Sequence, residues 1–261
     1  MEGIKKDLLS ALAIGPREHI AIVGGGGKTT LMFALAEQIL RARHTVVTTT
    51  TTRIRRREAI MAPSQILAFP DTSWHQELKR GFKKNRHIFV AGRLLDSEKV
   101  QGISPELADN LYLCQEIDYL IVEADGAAGK PIKAPAHHEP VVPSTATLVV
   151  AMVGLDALEK SFDERFVFRT SLFEKLTGLR QGETITQGTI IKIFESSEGL
   201  FKGAPVSARR IAFLNKADLL PDDQISRDLA ESILRSQNAS VDRVVIGSAA
   251  KNDYLVIRQK T

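Results

Sequence analysis

The sequence predicts a doubly wound α/β fold with a mainly parallel sheet. Three observations carry that prediction. Short β-branched runs alternate with helical patterns along most of the 261 residues. Several of the runs are continuously apolar, as strands covered on both faces of a parallel sheet are. A glycine run, Gly24 to Gly27, separates the first strand from the first long helical pattern, the turn at which such folds bind phosphate.

The elements follow in order. Residues 1–14 space Leu8, Leu9 and Leu12 as a short amphipathic helix. The stretch lacks the apolar core and small-residue cleavage site of a secretory signal. Strands are expected at 19–23, 45–49, 88–91, 119–123, 147–152, 210–214 and 243–246, and helices at 30–43, 74–84, 105–115 and 222–237. The last helix follows Pro221, with Asp222 as its N-cap. This alternation implies right-handed crossovers. From Ser161 to Ser207 the rhythm breaks into helical pieces, 171–176 and 186–194, separated by glycines. We read 161–207 as a small, mostly helical insertion within a single domain spanning 1–261.

Composition narrows the function classes. Hydrophobic content of 43% and charged content of 25% are ordinary for a globular chain. No apolar stretch approaches the roughly 18–20 residues that a membrane helix needs. Cys114 is the sole cysteine, so no disulfide forms within the chain; it reads as a buried thiol in a cytoplasmic protein. A net charge of +4 and a pI near 9.2 suit an anionic ligand. The basic runs are Arg53 with Arg55 to Arg57, then Lys79, Arg80, Lys83, Lys84 and Arg86. Aromatics, 6% of the chain, do not interleave with them. They read as solvated helix faces or contacts to a phosphate-bearing ligand, not as a nucleic-acid surface.

Four motifs carry the chemistry. In the first, Gly24, Gly25, Gly26 and Gly27 let successive N–H groups turn inward. Lys28 is placed for the β- and γ-phosphates of a nucleotide and Thr29 for Mg²⁺, with Thr30 continuing into the helix whose positive end faces the anion. The usual first glycine is replaced by Ile22, so the loop is tighter than the common form. In the second, the apolar strand ending at Glu123-Ala124-Asp125-Gly126 brings carboxylates to the metal. Asp125 is assigned to Mg²⁺ with Thr29, and Glu123 or Asp125 to orienting the attacking water. Together these give a phosphate-loop (P-loop) NTPase type of fold.

The third motif, Asn215-Lys216-Ala217-Asp218, follows a strand. Asp218 accepts from guanine N1–H and the exocyclic amine, two donors that adenine lacks, while Asn215 ties back to the phosphate loop and the Lys216 stem covers the base. The fourth, Ser248-Ala249, follows the last strand and offers N–H to the guanine carbonyl. Thr50 and Arg53 in the threonine run, and Lys130, Lys133, His137 and His138 after the acidic strand, are candidate switch or substrate contacts.

With these residues in hand, the chain resembles the YqeC family of selenium-dependent hydroxylase accessory proteins. The resemblance rests on Val23 to Thr30, the threonine run ending at Arg53, Val122 to Ala127 with Lys130-Pro131-Ile132-Lys133 and the His137-Glu139-Pro140 stretch, and Asn215 to Asp218. It implies a P-loop protein linked to maturation of selenium-dependent molybdenum hydroxylases, with such an enzyme or its cofactor-maturation proteins as partner. The expectation is a cytoplasmic, Mg²⁺-dependent protein that binds and hydrolyses a nucleoside triphosphate, GTP in preference to ATP. Two alternatives use the same loop. One is a small-molecule or cofactor kinase with its acceptor pocket near His137 and His138; the other is a nucleotide-dependent binding or chaperone module with negligible turnover.

Overall fold

One sheet gathers ten strands in the computed structural model, which describes residues 4–5, 7–67, 74–95 and 98–259. In chain order they are β1 (Ile4–Lys5), β2 (Glu18–Gly24), β3 (Val46–Thr50), β4 (Gln65–Leu67), β5 (His87–Ala91), β6 (Tyr119–Glu123), β7 (Leu148–Gly154), β8 (Arg209–Asn215), β9 (Arg243–Ser248) and β10 (Asp253–Ile257). The spatial order is β1-β10-β9-β8-β7-β2-β6-β3-β5-β4. From β9 to β4 all eight strands run parallel; β10 is antiparallel to β9 and to β1. All seven expected strands lie in this sheet. The three that pattern reading missed are at or near its edges, and two of them are only two or three residues long.

The main helices are α1 (Lys28–Arg41), α2 (Trp74–Phe82), α3 (Pro105–Leu113), α4 (Thr170–Thr177), α5 (Gln187–Glu195) and α6 (Asp223–Arg235). They cover both faces, as the continuous apolar strands require. In β2, Ile20 and Ile22 pack with Leu31, Met32 and Leu35 of α1, while Ala21 and Val23 enter the opposite cluster with Leu111, Ile193 and Leu229. Strand pleating divides one residue run between two cores. Asp222 caps α6 by accepting from Gln224 N at 2.8 Å.

Two expectations change in detail. The N-terminal helix is one turn, Leu8–Ala11, capped by Asp7 and followed by Ala13 at φ +47°. Residues 161–207 contain α4 and α5 and also a two-residue strand, Val167–Phe168, that pairs with Ile132–Lys133. Phe162, Phe173 and Phe194 from this stretch join the same apolar cluster as the sheet. Among the described residues no helix is long and apolar enough to cross a membrane.

Parallel register sets the stage for the site. Thr50 stands opposite Glu123, Gly24 opposite Met152, Gly154 opposite Asn215, and Asn215 opposite Gly247. The motifs therefore end on one carboxyl edge. The chain leaves β2 toward β3 and later crosses back to β7, so β2 lies at the topological switch point where such sheets bind ligands.

Candidate phosphate-binding site

The glycine run is shaped by what presses on it. A Cβ on Gly24 would sit 2.2 Å from Met152 O, on Gly26 2.4 Å from Gly154 N, and on Gly27 2.5 Å from Asn215 Nδ2. Gly24, Gly26 and Gly27 also hold φ of +94°, +79° and +122°, backbone that disfavours any side chain. Neighbouring chain pins the loop: Gly25 N–H donates to Met152 O and Gly26 N–H to Lys130 O, each at 2.9 Å. The helical ladder begins with Leu31 N–H donating to Gly27 O at 3.0 Å. The N–H groups of Lys28, Thr29 and Thr30 precede it, as at any helix start.

Lys28 opens the helix yet is buried. Its Nζ donates to Gly24 O at 2.7 Å and lies 3.2 Å from Asp125 Oδ1 and 3.5 Å from Glu123 Oε1. Burial works against the ammonium, but Asp125 and Glu123 outweigh it and hold its pKa above the ordinary lysine value. Thr29 Oγ1 donates to Glu123 Oε2 at 2.8 Å. Burial pushes the Glu123 carboxyl up, and the Asp125 and Glu58 carboxylates add to the rise against the opposing pull of Lys28 and the Thr29 hydroxyl.

The two acids differ in role. Glu123 lines a cavity of about 370 Å³ together with Gly26 to Thr30, Arg53, Arg55, Glu58, Lys130 and Lys216. Asp125 is fully buried and is turned away from it. Its carboxylate accepts from Gly24 N–H at 3.0 Å and pairs with Lys28 and, at 3.0 Å, with Lys133 Nζ. A Mg²⁺ ion prefers oxygen ligands reached from the nucleotide side. Thr29 Oγ1 and Glu123 fit that demand. Asp125, expected to share the metal with Thr29, lies outside that cavity lining, its oxygens paired with Lys28, Lys133 and the Gly24 N–H.

Asp125 begins a buried chain of alternating charge. Lys133 Nζ donates to Gly126 O at 2.7 Å and to Glu139 Oε2 at 2.5 Å, and Arg169 grips Glu139 with both terminal nitrogens. Arg169 holds this bidentate pair from a left-handed backbone, φ +64°, a strained conformation sustained by its surroundings. Neither Arg169 nor the Met152 and Gly154 clamp carries a sequence motif, and a charge partner 30 residues from Glu139 has no spacing signal.

This chain predicts a pH response. Glu139 is held at about 2 against an ordinary 4.5; burial opposes the shift, and Arg169 and Lys133 prevail. A depressed carboxyl pKa stabilises the fold fully above pH 4.5, and that contribution is lost as pH falls toward 2. Glu139→Gln is expected to flatten stability, measured by urea unfolding, between those values. A wild-type slope retained there contradicts the pairing. His19 and His87, which burial pushes down to about 4, act separately by destabilising the fold as pH drops from 6.5 to 4.

On the other side of β2, Asn215 Nδ2 donates to Gly26 O at 2.6 Å, and Asn215 Oδ1 accepts from Ala249 N–H at 2.9 Å. Asn215 thus bridges the glycine loop and the Ser248-Ala249 turn, and the Ala249 N–H is engaged by Asn215. Lys216, at φ +62°, pairs with Asp156 at 2.6 Å on the cavity rim. Asp218 pairs with Lys251 at 2.9 Å. That lysine, with the Ser248 hydroxyl, lowers its pKa against burial. Asp218 and Ser248 share a small neighbouring hollow and do not line the phosphate cavity.

The remaining candidates separate. Thr50 is buried and donates to Glu123 O at 2.8 Å, so it braces the acidic strand. Arg53 and Lys130 line the cavity beside the glycine loop. His137 and His138 are exposed and meet edge to face, with no third ligand gathered beside them among the described residues.

Comparison with known proteins matches the chain's sequence to a family. A family model described as "YqeC protein" matches residues 20–171, more than half of the chain. That segment holds the phosphate loop, Glu123, Asp125, Lys133, Glu139 and Arg169, and ends before Asn215. A protein of Escherichia coli (strain K12) named "Uncharacterized protein YqeC" is 34% identical over 205 residues, covering 76% of this chain and 75% of that protein. The chain belongs to the YqeC family.

Proposed function

We propose that the chain binds a nucleoside triphosphate with Mg²⁺ at the Gly24–Thr30 loop and hydrolyses it, GTP in preference to ATP. The observation that carries the reading is the Thr29–Glu123 hydrogen bond beside the buried Lys28 ammonium, at a helix start and at the mouth of a cavity on the switch point. Lys28 is held on Gly24 O and the acids, and moves to the β- and γ-phosphates when nucleotide enters. Thr29 Oγ1 and Glu123 are the protein oxygens that would hold Mg²⁺, directly or through its water. The ion, when bound, neutralises charge on the β- and γ-oxygens. Arg53, Arg55 and Lys130 on the rim add positive charge where the transferred phosphoryl group develops negative charge. Asp125 acts from behind, fixing the Gly24 N–H and thereby the loop.

Guanine preference rests on Asp218, whose carboxylate accepts hydrogen bonds once Lys251 yields. Asp218→Asn is expected to weaken GTP binding about tenfold or more, the worth of one hydrogen bond to a charged group. It should strengthen binding of xanthosine triphosphate, whose ring offers an acceptor where guanine offers a donor. Unchanged affinities for both in a fluorescence titration would remove the guanine assignment and leave the phosphate loop standing.

The proposed biological role is maturation of a selenium-dependent molybdenum hydroxylase in the cytoplasm, the role implied by the motif resemblance given in the sequence analysis. Nucleotide-dependent ordering of Gly126–Pro140 through the Lys133 chain would signal the bound state to that partner.

A further inference from the structure

Next to the phosphate cavity the sheet edge carries a second hollow. Three short strands, Arg53–Arg55, Arg93–Leu94 and Lys99–Gln101, form a small antiparallel sheet beyond the ends of β3 and β5. Two glycines permit the close crossing. A Cβ on Gly102 would sit 2.1 Å from Thr50 O, and one on Gly92 2.5 Å from Gly102 O. The crossing is stitched by Gly102 N–H to Thr52 O at 2.6 Å, Ile103 N–H to Thr50 O at 2.9 Å and Gly92 N–H to Gln101 O at 2.9 Å. Two hollows of about 430 and 410 Å³ share Arg93, Gln101, Gly102, Ile103 and Ser104, the size range of small-molecule sites.

Their lining is selective. Arg93 and Ile103 line both, Arg53 adds a second cation to the larger and Leu107 an apolar wall to the smaller, and no described lining residue is acidic. The Arg93 Nε donates to Gln101 Oε1 at 2.8 Å, which orients its guanidinium. Arg53 lines the phosphate cavity as well. Across the sheet the order is Asn215 and Ser248 on β8 and β9, the phosphate loop after β2, Glu123 on β6, then this hollow at β3 and β5. A nucleotide whose base lies at Asp218, beyond Asn215, therefore directs its terminal phosphate toward Arg53.

We infer that this hollow holds a second ligand, a small molecule bearing a phosphate or carboxylate on an apolar or planar body. The anionic group sits between Arg53 and Arg93, and the body lies against Ile103 and Leu107. The direction of the nucleotide rests on the proposed function; the hollow and its arginines do not. His137 and His138 line none of these three cavities.

The test uses the ¹⁵N-labelled full chain with and without Mg²⁺ and a non-hydrolysable GTP analogue, titrated with 4-nitrophenyl phosphate. Saturable amide shifts are expected at Gly92, Gly102 and Ile103 in the analogue-bound protein. Arg93→Ala, at an exposed side chain, should weaken the aryl phosphate about tenfold or more and leave analogue affinity within about twofold. Arg93→Lys should recover part of the loss. No saturable shift at those amides, an Arg93→Ala affinity equal to wild type, or aryl phosphate displaced from Gly27 and Lys28 by the analogue would each overturn the assignment. If the analogue fails to bind while the aryl phosphate still shifts Gly92 and Gly102, the nucleotide reading falls and the hollow stands.

Discussion

Lys133→Met is expected to lower stability by about 3–5 kcal/mol, the cost of leaving buried charge without its partner. Lys133 and Asp125 are both fully buried, and Lys133 also neutralises Glu139 and binds Gly126 O. Methionine keeps the volume of the stem, so packing changes little and the loss reports the charge. Asp125 then retains only Lys28 and the Gly24 N–H. The urea midpoint should fall with little change in m-value. Adding Asp125→Asn should recover part of the loss, because it removes the stranded carboxylate, and the non-additivity measures the pair. A single-variant loss below about 1 kcal/mol would mean that the chain of charges is not coupled as its distances indicate. Weaker nucleotide binding in folded Lys133→Met is the functional companion, since Asp125 anchors the loop through Gly24.

Lys28→Ala is expected to reduce nucleoside triphosphate affinity at least about 100-fold. Two charge-assisted contacts to phosphate oxygens, at about 1.5–3 kcal/mol each, account for that factor. Lys28 is also the partner of Asp125 and Glu123, so some stability goes with it. Lys28→Met separates the effects by keeping the stem, and near-UV circular dichroism at neutral pH verifies that the variant is folded. Full affinity in either variant would remove Lys28 from the site.

Much of this architecture was legible in the residues. The seven strands followed from β-branched, continuously apolar runs, because burial on both faces leaves no polar alternation. The glycine run was legible because Gly24, Gly26 and Gly27 need backbone that other residues disfavour. The tie from Asn215 to the phosphate loop followed from the chemistry of an amide that both donates and accepts. Other features depend on contacts between distant segments. Asp125 and Glu123 are two residues apart on one strand end, and the sequence alone put the metal on Asp125 and left the water-orienting role open between them. The difference comes from Lys133, seven residues beyond Gly126, folding back behind Asp125. Arg169 reaches Glu139 across the Ile132–Lys133 and Val167–Phe168 pairing, which two-residue strands do not announce. The threonine run was open to a switch reading. The structure uses its hydroxyls as braces: Thr48 meets His87, Thr49 donates to Val90 O, and Thr51 donates to Val141 O.

The nucleotide assignment is tested most directly by calorimetric titration of the folded wild-type chain and Lys28→Met with Mg·GTP and Mg·ATP. Wild type should bind GTP at a single site, with ATP about tenfold or more weaker, and Lys28→Met should bind neither. Absence of binding by wild type, or equal binding by Lys28→Met, would contradict a phosphate loop at Gly24–Thr30.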